Sequence, residues 1–237
     1  MLFCYVTDRK LLFARAEEEL RTRELLQYIE RAVTAGVDWI QIREKDLCAR
    51  ELAELTRRAV AVASKVNAHG HDVEKGSGLR RRIMVNDRID VALAAEAHGV
   101  HLGSGSVPAN EAIRWLRAGN APADFLTGIS CHGRNEALAA ERAGANYIFF
   151  GPIYETPSKK AFGAPQGAAK LAEICKAVKI PVLAIGGITE ENAAECLRAG
   201  AAGIAAIRLF QQDIEGSALA GMISRLRASA PATSSTD

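Results

Sequence analysis

The chain has 237 residues, of which 49% are hydrophobic and 24% are charged, and its formal net charge is +2. This composition excludes a largely disordered chain, and the near balance of 30 basic and 28 acidic residues argues against a nucleic-acid partner. No apolar run approaches the roughly 18 residues of a membrane helix, and the five cysteines lack zinc-ligand spacing. MLFCYVTDRK, the opening segment, does not resemble a signal peptide. We therefore expect a cytoplasmic globular enzyme with neither nucleic acid nor membrane as partner.

Eight short apolar segments, each followed by a helical pattern, divide the chain. The predicted strands are residues 2–7, 37–43, 82–86, 99–103, 125–130, 147–151, 181–187 and 203–208. The predicted helices lie near residues 15–35, 49–66, 89–97, 110–118, 135–143, 170–178, 191–199 and 216–227. The strands are apolar on both faces, as a parallel sheet covered by helices requires. Eight such units predict an α/β protein with a single (β/α)₈ TIM barrel over residues 1–228.

Two segments do not fit this repeat. Residues 68–82 are polar and rich in glycine and predict a mobile insertion loop before the third strand. His69 and His71 in this loop could ligate a metal, but a solvated loop is the favoured interpretation. Residues 229–237 predict a disordered tail.

Polar residues follow the second strand, at the barrel end where active sites of this fold lie. Gln41, Arg43 and Lys45 share one direction because side chains alternate along a strand. Two cations at the barrel mouth predict an anion clamp. The alternative is a surface ion-pair cluster in which they pair with Glu44 and Asp46.

The third and fourth strands are followed by further polar residues. Asn86 and Asp87 end the third strand, and Asp87 could cap the next helix, hold a metal or bind a substrate amine. Ser104 belongs to a Ser-Gly-Ser turn after the fourth strand. Small residues there suit close approach of a ligand to the backbone, although they suit an ordinary turn equally well.

Ser130, Cys131 and His132 follow the fifth strand. His132 is placed for proton transfer near neutral pH, because histidine titrates in that range. Cys131 is a candidate nucleophile, but no second histidine is evident as its base, and a buried thiol is favoured.

The loops after the sixth, seventh and eighth predicted strands, called loops six, seven and eight, predict sites for phosphate groups. The loop at residues 151–167 carries Thr156, Ser158 and Lys159, whose hydroxyl and ammonium groups suit phosphate or diphosphate oxygens. Loops seven and eight form the standard phosphate site of such barrels. They contribute Gly186, Gly187, Ile207 and Arg208. The residues therefore predict an enzyme that acts on a small phosphorylated metabolite.

Several of these segments resemble the thiamine-phosphate synthase/TenI family. The most specific are QIREKD (41–46), VNDRIDVALAAEAHGVHLG (85–103), GISCH (128–132), GPIYETPSKK (151–160) and AIGGITEENA (184–193). The resemblance covers nearly the whole chain outside 68–82 and the tail. It implies a TIM barrel in thiamine biosynthesis, phosphorylated thiazole and pyrimidine substrates, and a homodimer.

The family contains two activities. The synthase joins an aminopyrimidine diphosphate to a thiazole phosphate with the help of Mg²⁺, whereas TenI-like tautomerases aromatise a carboxythiazole phosphate. The resemblance implies that Asn86 lies beside the pyrimidine diphosphate and that Asp87 is a magnesium ligand in a synthase. It implies that Gln41, Arg43 and Lys45 line the substrate pocket. Diphosphate, or the substrate carboxylate of a tautomerase, would be bound by Thr156, Ser158 and Lys159, and thiazole phosphate by Gly186, Gly187 and Ile207.

Two departures from the synthase pattern bear on this choice. Ser104 and Ser106 stand where synthases typically have glutamine and a second magnesium carboxylate, and serine is a poor replacement for an anionic ligand. Arg208 replaces a serine and could either strengthen phosphate binding or block part of the pocket. We therefore expect a metal-free thiazole tautomerase with His132 as its acid and base. The alternatives are a Mg²⁺-dependent thiamine-phosphate synthase and a non-catalytic phosphate-ligand-binding regulatory protein.

Overall fold

A computed structural model describes residues 1–14, 17–68, 80–156, 164–211 and 218–229 of the protein. Its eight parallel strands close in chain order into one barrel. The strands are β1 (Leu2–Val6), β2 (Trp39–Ile42), β3 (Arg82–Asn86), β4 (Gly99–Leu102), β5 (Leu126–Cys131), β6 (Tyr147–Phe150), β7 (Val182–Ile185) and β8 (Gly203–Ala206). The predicted (β/α)₈ barrel is therefore confirmed.

Helices surround the barrel. They are α1 (Arg9–Leu12), α2 (Glu18–Thr34), α3 (Ala49–Ala68), α4 (Ile89–Ala94), α5 (Ala109–Trp115), α6 (Arg134–Ala143), α7 (Gly167–Ala177), α8 (Glu190–Arg198), α9 (Arg208–Gln211) and α10 (Leu219–Ala228). The four-residue helices α1 and α9 were not predicted, and a π-helical turn at Leu116–Asn120 extends α5. Of the predicted insertion at residues 68–82, Ala68 belongs to α3 and Arg82 to β3. Residues 69–79, with His69 and His71, lie outside the described residues, as do residues 230–237 of the tail.

Two hydrophobic clusters explain why the strands are apolar on both faces. Alternate side chains point outward, where strand residues such as Ile40 and Ile42 pack with helix residues such as Leu25 and Ile29. The other set fills the barrel interior. It comprises Cys4, Val6, Trp39, Met84, Tyr147, Phe149, Leu183 and Ala205.

The two ends of the barrel differ in chemistry. At the amino ends of the strands, the fully buried Asp38 accepts hydrogen bonds from Phe3 N (2.8 Å), Arg81 Nη1 (2.8 Å) and Arg227 Nη2 (2.9 Å). At the carboxyl ends lie those polar residues predicted for the site that the structure describes. Within the described ranges, every helix is too short or too polar to cross a membrane.

Candidate active site

A hydrogen-bonded chain of polar side chains lies inside the rim at the ends of β2 and β3. Gln41, which is only 2% exposed, donates from Nε2 to Asn86 Oδ1 (2.8 Å), and Asn86 Nδ2 donates to Asp87 Oδ2 (2.6 Å). The structure thus brings these three predicted residues together. Gln41 Oε1 is buried and has no hydrogen-bond partner among the described residues. It is an acceptor suited to a donor on a ligand, because buried polar atoms are normally paired.

Asp87 faces the loop after β4 and does not cap the following helix. Its backbone has a φ of +62°, in the left-handed region, which aspartate tolerates better than most residues. Oδ1 accepts from Gly103 N (3.2 Å) and from the Ser106 hydroxyl, which itself accepts from Gly103 N (2.7 Å). The N-cap of α4 is Arg88, so the capping interpretation was wrong. Ser106, where the family resemblance implies a second magnesium carboxylate in synthases, is in direct contact with Asp87.

The acidic residues beside the predicted anion clamp are paired with cations from α1. Arg9 Nη1 lies 3.0 Å from Glu44 Oε2 and 2.7 Å from Asp46 Oδ1, and Lys10 Nζ lies 2.9 Å from Asp46 Oδ2. The Arg9 and Glu44 side chains are both almost completely buried. Hydrogen bonds from Arg9, and then from Lys10, hold the pKa of Asp46 well below its ordinary value.

Arg43 and Lys45 are therefore not neutralised by these acids. Among the described residues neither takes part in an ion pair; Arg43 is half-buried and Lys45 is exposed. Arg43 N donates to Thr7 Oγ1 (3.0 Å), and Thr7 Oγ1 donates to Glu44 Oε1 (2.6 Å), which fixes the loop. This arrangement favours the anion clamp over the surface ion-pair cluster. Sequence reasoning missed Thr7 and Arg9, although both directly follow β1 at the same rim.

The end of β5 places two predicted residues at the rim. Ser130 is half-buried, and its Oγ lies 2.9 Å from Nε2 of the buried His101. His132 is half-buried, its N donates to Glu136 Oε2 (2.6 Å), and its Nδ1 contacts the Gly151 carbonyl oxygen. A carbonyl can only accept, so Nδ1 carries a hydrogen and Nε2 of the neutral ring is left as the base.

Cys131 lies between these two residues and is unsuited to nucleophilic chemistry. It is fully buried, and burial raises the pKa of its thiol to about 12. Since only the thiolate is strongly nucleophilic, the buried-thiol interpretation holds.

Loops six and seven are joined by main-chain hydrogen bonds. Ile153 N donates to Ile185 O and Tyr154 N donates to Gly186 O, both at 3.0 Å. Gly186 and Gly187 have φ values of +96° and +68°, and a Cβ on Gly187 would lie 2.6 Å from a backbone oxygen of loop six. This close approach explains why both positions carry glycine.

Some of the remaining predicted residues are described by the structure and others are not. Thr156 is half-buried, whereas Ser158 and Lys159 lie outside the described residues. Ile207 packs against the barrel-interior cluster. Arg208, the first residue of α9, and Ser104 are exposed. In the described ranges, no group of three or more His, Cys, Asp or Glu side chains is arranged to hold a metal ion.

Comparisons with known proteins agree with this architecture. A family model described as thiamine monophosphate synthase (TMP-TENI) matches residues 11–210. A protein of Geobacter sulfurreducens named "Putative thiamine-phosphate synthase" is 46% identical over 191 residues, which are 81% of each chain. The thiamine-phosphate synthase of Clostridium novyi is 36% identical over 89% of this chain and 92% of its own. Thiamine phosphate pyrophosphorylase from Pyrococcus furiosus has a similar structure, with a TM-score of 0.77, 28% identity and 97% of both chains covered. From this match and these relatives, the chain belongs to the thiamine-phosphate synthase/TenI family of enzymes.

Proposed function

We propose that this chain is a thiamine-phosphate synthase, which joins an aminopyrimidine diphosphate to a thiazole phosphate. The names of its relatives favour this transferase over the isomerase that sequence analysis placed first. In the reaction, the bond between the pyrimidine methylene carbon and the diphosphate oxygen breaks. The thiazole nitrogen forms the new bond to that carbon, and diphosphate leaves.

The site observation that carries the proposal is the buried acceptor Gln41 Oε1. An aminopyrimidine offers N–H donors, and a hydrogen bond to this oxygen would remove the free-energy cost of leaving it unpaired. A carboxythiazole phosphate offers oxygen acceptors but no N–H donor. The chemistry of Gln41 therefore suits the synthase substrate better than the tautomerase substrate.

Charge at the rim suits a diphosphate. Arg43 and Lys45 would contact its oxygens, because their charges are not used by an ion pair among the described residues. The backbone N–H groups around Gly186 and Gly187 would hold the phosphate of the thiazole, since loops seven and eight form the usual phosphate site of this fold. The two substrates would thus lie on opposite sides of the barrel mouth.

Mg²⁺ is implied by this activity, and the oxygen donors at the ends of β3 and β4 fit it. Mg²⁺ is commonly bound through one or two carboxylates together with substrate phosphates and water. Asp87 and the Ser106 hydroxyl, which contact each other, would be the protein's share of such a site. When bound, Mg²⁺ would stabilise the negative charge that develops on the leaving diphosphate.

The test is condensation by the purified chain with and without Mg²⁺, measured as thiamine phosphate formed and diphosphate released. We expect Mg²⁺-dependent product, and loss of most activity in Asp87→Asn. Ser106→Asp restores the second carboxylate and is expected to lower the Mg²⁺ concentration needed for half-maximal rate. A wild-type protein that forms no thiamine phosphate at any Mg²⁺ concentration would contradict the proposal.

A thiazole tautomerase is the second candidate, and it is favoured by the tautomer of the His132 ring. Because Nδ1 is bound to the Gly151 carbonyl, Nε2 is the nitrogen available to remove and return a proton. This activity requires no metal. The same preparation should then aromatise a carboxythiazole phosphate in the presence of a chelator, and His132→Gln should lower that rate by about 100-fold.

The paired assays also identify the third candidate, a non-catalytic binding protein. Binding of thiazole phosphate without either reaction would favour that function. Substantial tautomerisation with no condensation would instead reverse the order of the first two candidates.

A further inference from the structure

A buried histidine inside the barrel contacts one of the predicted site residues. His101, on β4, is 2% exposed and stacks on Phe149 with ring centroids 4.1 Å apart. Its Nε2 lies 2.9 Å from Ser130 Oγ, and its Nδ1 lies 3.3 Å from the Tyr147 hydroxyl oxygen. Ser130, His101 and Tyr147 therefore form a hydrogen-bonded chain from the rim into the interior.

Close packing fixes the inner end of this chain. Tyr147 is 1% exposed, and its ring occupies the space that a Cβ on Gly128 would fill, at 2.1 Å. Burial raises the pKa of the Tyr147 hydroxyl well above its ordinary value, so the group keeps its hydrogen. Among the described residues, this hydroxyl has no other hydrogen-bond partner than His101.

The direction of the hydrogen bonds follows from this placement. Tyr147 satisfies its O–H only by donating to His101 Nδ1. A neutral imidazole that accepts at Nδ1 carries its hydrogen on Nε2, so Nε2 donates to Ser130 Oγ. The Ser130 hydroxyl hydrogen is then available for an acceptor on the pocket side.

We infer that His101 is a positioning residue that makes Ser130 a hydrogen-bond donor to an anionic oxygen of the substrate. The identification of that oxygen as diphosphate rests on the proposed function. The orientation of the hydroxyl does not, because it is set by side chains of the barrel interior. A phosphate or carboxylate oxygen of a tautomerase substrate would meet the same donor.

The imidazole tautomer is the first test, and it does not depend on activity. Nitrogen NMR of the full chain distinguishes a ring protonated on Nε2 from one protonated on Nδ1, and His101→Gln identifies the signal among the five histidines. We expect the Nε2–H tautomer in the wild type and loss of that preference in Tyr147→Phe. An Nδ1–H tautomer in the wild type would overturn the inference.

A double-mutant cycle on binding of inorganic diphosphate, measured by calorimetry, is the second test. We expect His101→Leu and Ser130→Ala each to weaken binding by about tenfold, and the double variant to bind no more weakly than either. His101→Gln, which retains an N–H donor, should recover part of the loss. Independent losses that multiply in the double variant would contradict the positioning role.

Tyr147→Phe has a matched control in Tyr5→Phe. Tyr5 is equally buried, but it lies on the outer face of the barrel, where its hydroxyl accepts from Gln211 Nε2 (2.9 Å). Only Tyr147→Phe should weaken diphosphate binding, and equal effects of the two variants would overturn the inference. If the wild type neither binds diphosphate nor condenses the substrates, the proposed function fails, while the tautomer measurement still decides the role of His101.

Discussion

Individual buried polar residues determine which groups at the rim remain available to a ligand. Glu44 illustrates this, because its carboxylate accepts from the Thr7 hydroxyl and from the Arg9 main chain and side chain. Burying such a carboxylate is tolerable only because these donors compensate for the loss of water. Its neighbour Arg43 keeps its charge for the pocket as a consequence.

The role of Gln41 can be tested by replacing its amide group, and with it both the Oε1 acceptor and the Nε2 donor to Asn86, with an apolar side chain of similar length. We expect Gln41→Met to raise the KM for the aminopyrimidine diphosphate by about 5- to 160-fold, the equivalent of one hydrogen bond of about 1–3 kcal/mol. The KM for thiazole phosphate should change little, because that substrate is assigned to loops seven and eight. Steady-state kinetics with each substrate varied in turn measures both values.

Gln211→Met is the matched control for that variant. Gln211 also has a buried Oε1 without a partner among the described residues, but its Nε2 donates to Tyr5 OH and Asp8 O and not to Asn86. It should lower stability without a selective effect on either KM. Equal effects of the two variants on the pyrimidine substrate would show that Gln41 acts only through packing.

The lowered pKa of Asp46 predicts that part of the protein's stability is lost at acid pH. Because Arg9 holds its pKa below the unfolded value of about 3.9, the folded state binds fewer protons than the unfolded state. The stability that Asp46 contributes is therefore present above about pH 5 and is lost as the pH falls towards its folded-state pKa. Urea unfolding at pH 7 and pH 3.5 should show a smaller loss in Asp46→Asn than in the wild type.

Asp124→Asn is the control for the acid experiment. Asp124 is 75% exposed, and its carboxylate comes no closer than 3.9 Å to Arg82. This variant should lose as much stability on acidification as the wild type. If Asp46→Asn does the same, the Arg9 contact does not depress the folded-state pKa as described.

Residues that act through distant partners were the ones sequence analysis could not place. Rim position alone selected Gln41, Asn86 and Asp87, because residues after barrel strands converge at one end. The contact of Arg9 with Glu44 and the contact of Ser106 with Asp87 could not be predicted, because each depends on how two separate loops pack against each other. Alternation along β4 would have placed His101 inside the barrel, but its contact with Ser130 required the register of β4 and β5.

At the scale of elements, all eight strands of the barrel were predicted from the sequence, whereas the short helices α1 and α9 were missed. The predicted third strand, residues 82–86, matches β3, because a short apolar run between polar segments has few alternative structures. The four-residue helices α1 and α9 carry too little periodicity to be detected, and they are stabilised by tertiary contacts such as that of Arg9 with Asp46.

Loops six and seven form one unit, which Gly187→Ala should disturb. A Cβ at this position meets Glu155 O at 2.6 Å and Tyr154 Cβ at 2.7 Å, in a backbone whose φ already disfavours side chains. We expect loop six to be displaced and the KM for thiazole phosphate to rise by about tenfold or more, as expected for loss of a charge-assisted hydrogen bond of about 1.5–3 kcal/mol. Steady-state kinetics measures the change.

Gly119→Ala separates the strain of a positive φ from the displacement of the loop. Gly119 has a φ of +93°, but no atom lies within 4 Å of the added Cβ. Its variant should lose about 1–2 kcal/mol of stability and keep the wild-type KM. A Gly187→Ala protein with unchanged KM would show that loop seven does not hold the phosphate.

At the scale of the whole molecule, a buried ion-pair cluster around Asp38 lies at the end of the barrel opposite the site. Asp38 joins β1, the start of β3 and the last helix α10 through Phe3 N, Arg81 and Arg227. Asp38→Asn keeps the shape of the side chain but leaves two cations without their shared charge. Removing one partner of a buried ion pair costs about 3–5 kcal/mol, and we expect a loss of that order in the free energy of unfolding, measured with urea. Because the site lies at the other end, kcat should stay within about twofold of wild type below the unfolding transition.

The control is Asp90→Asn, which breaks the exposed Arg88–Asp90 pair instead and should lower the free energy of unfolding by less than about 1 kcal/mol. A large fall in kcat in folded Asp38→Asn would show that the two ends of the barrel are coupled.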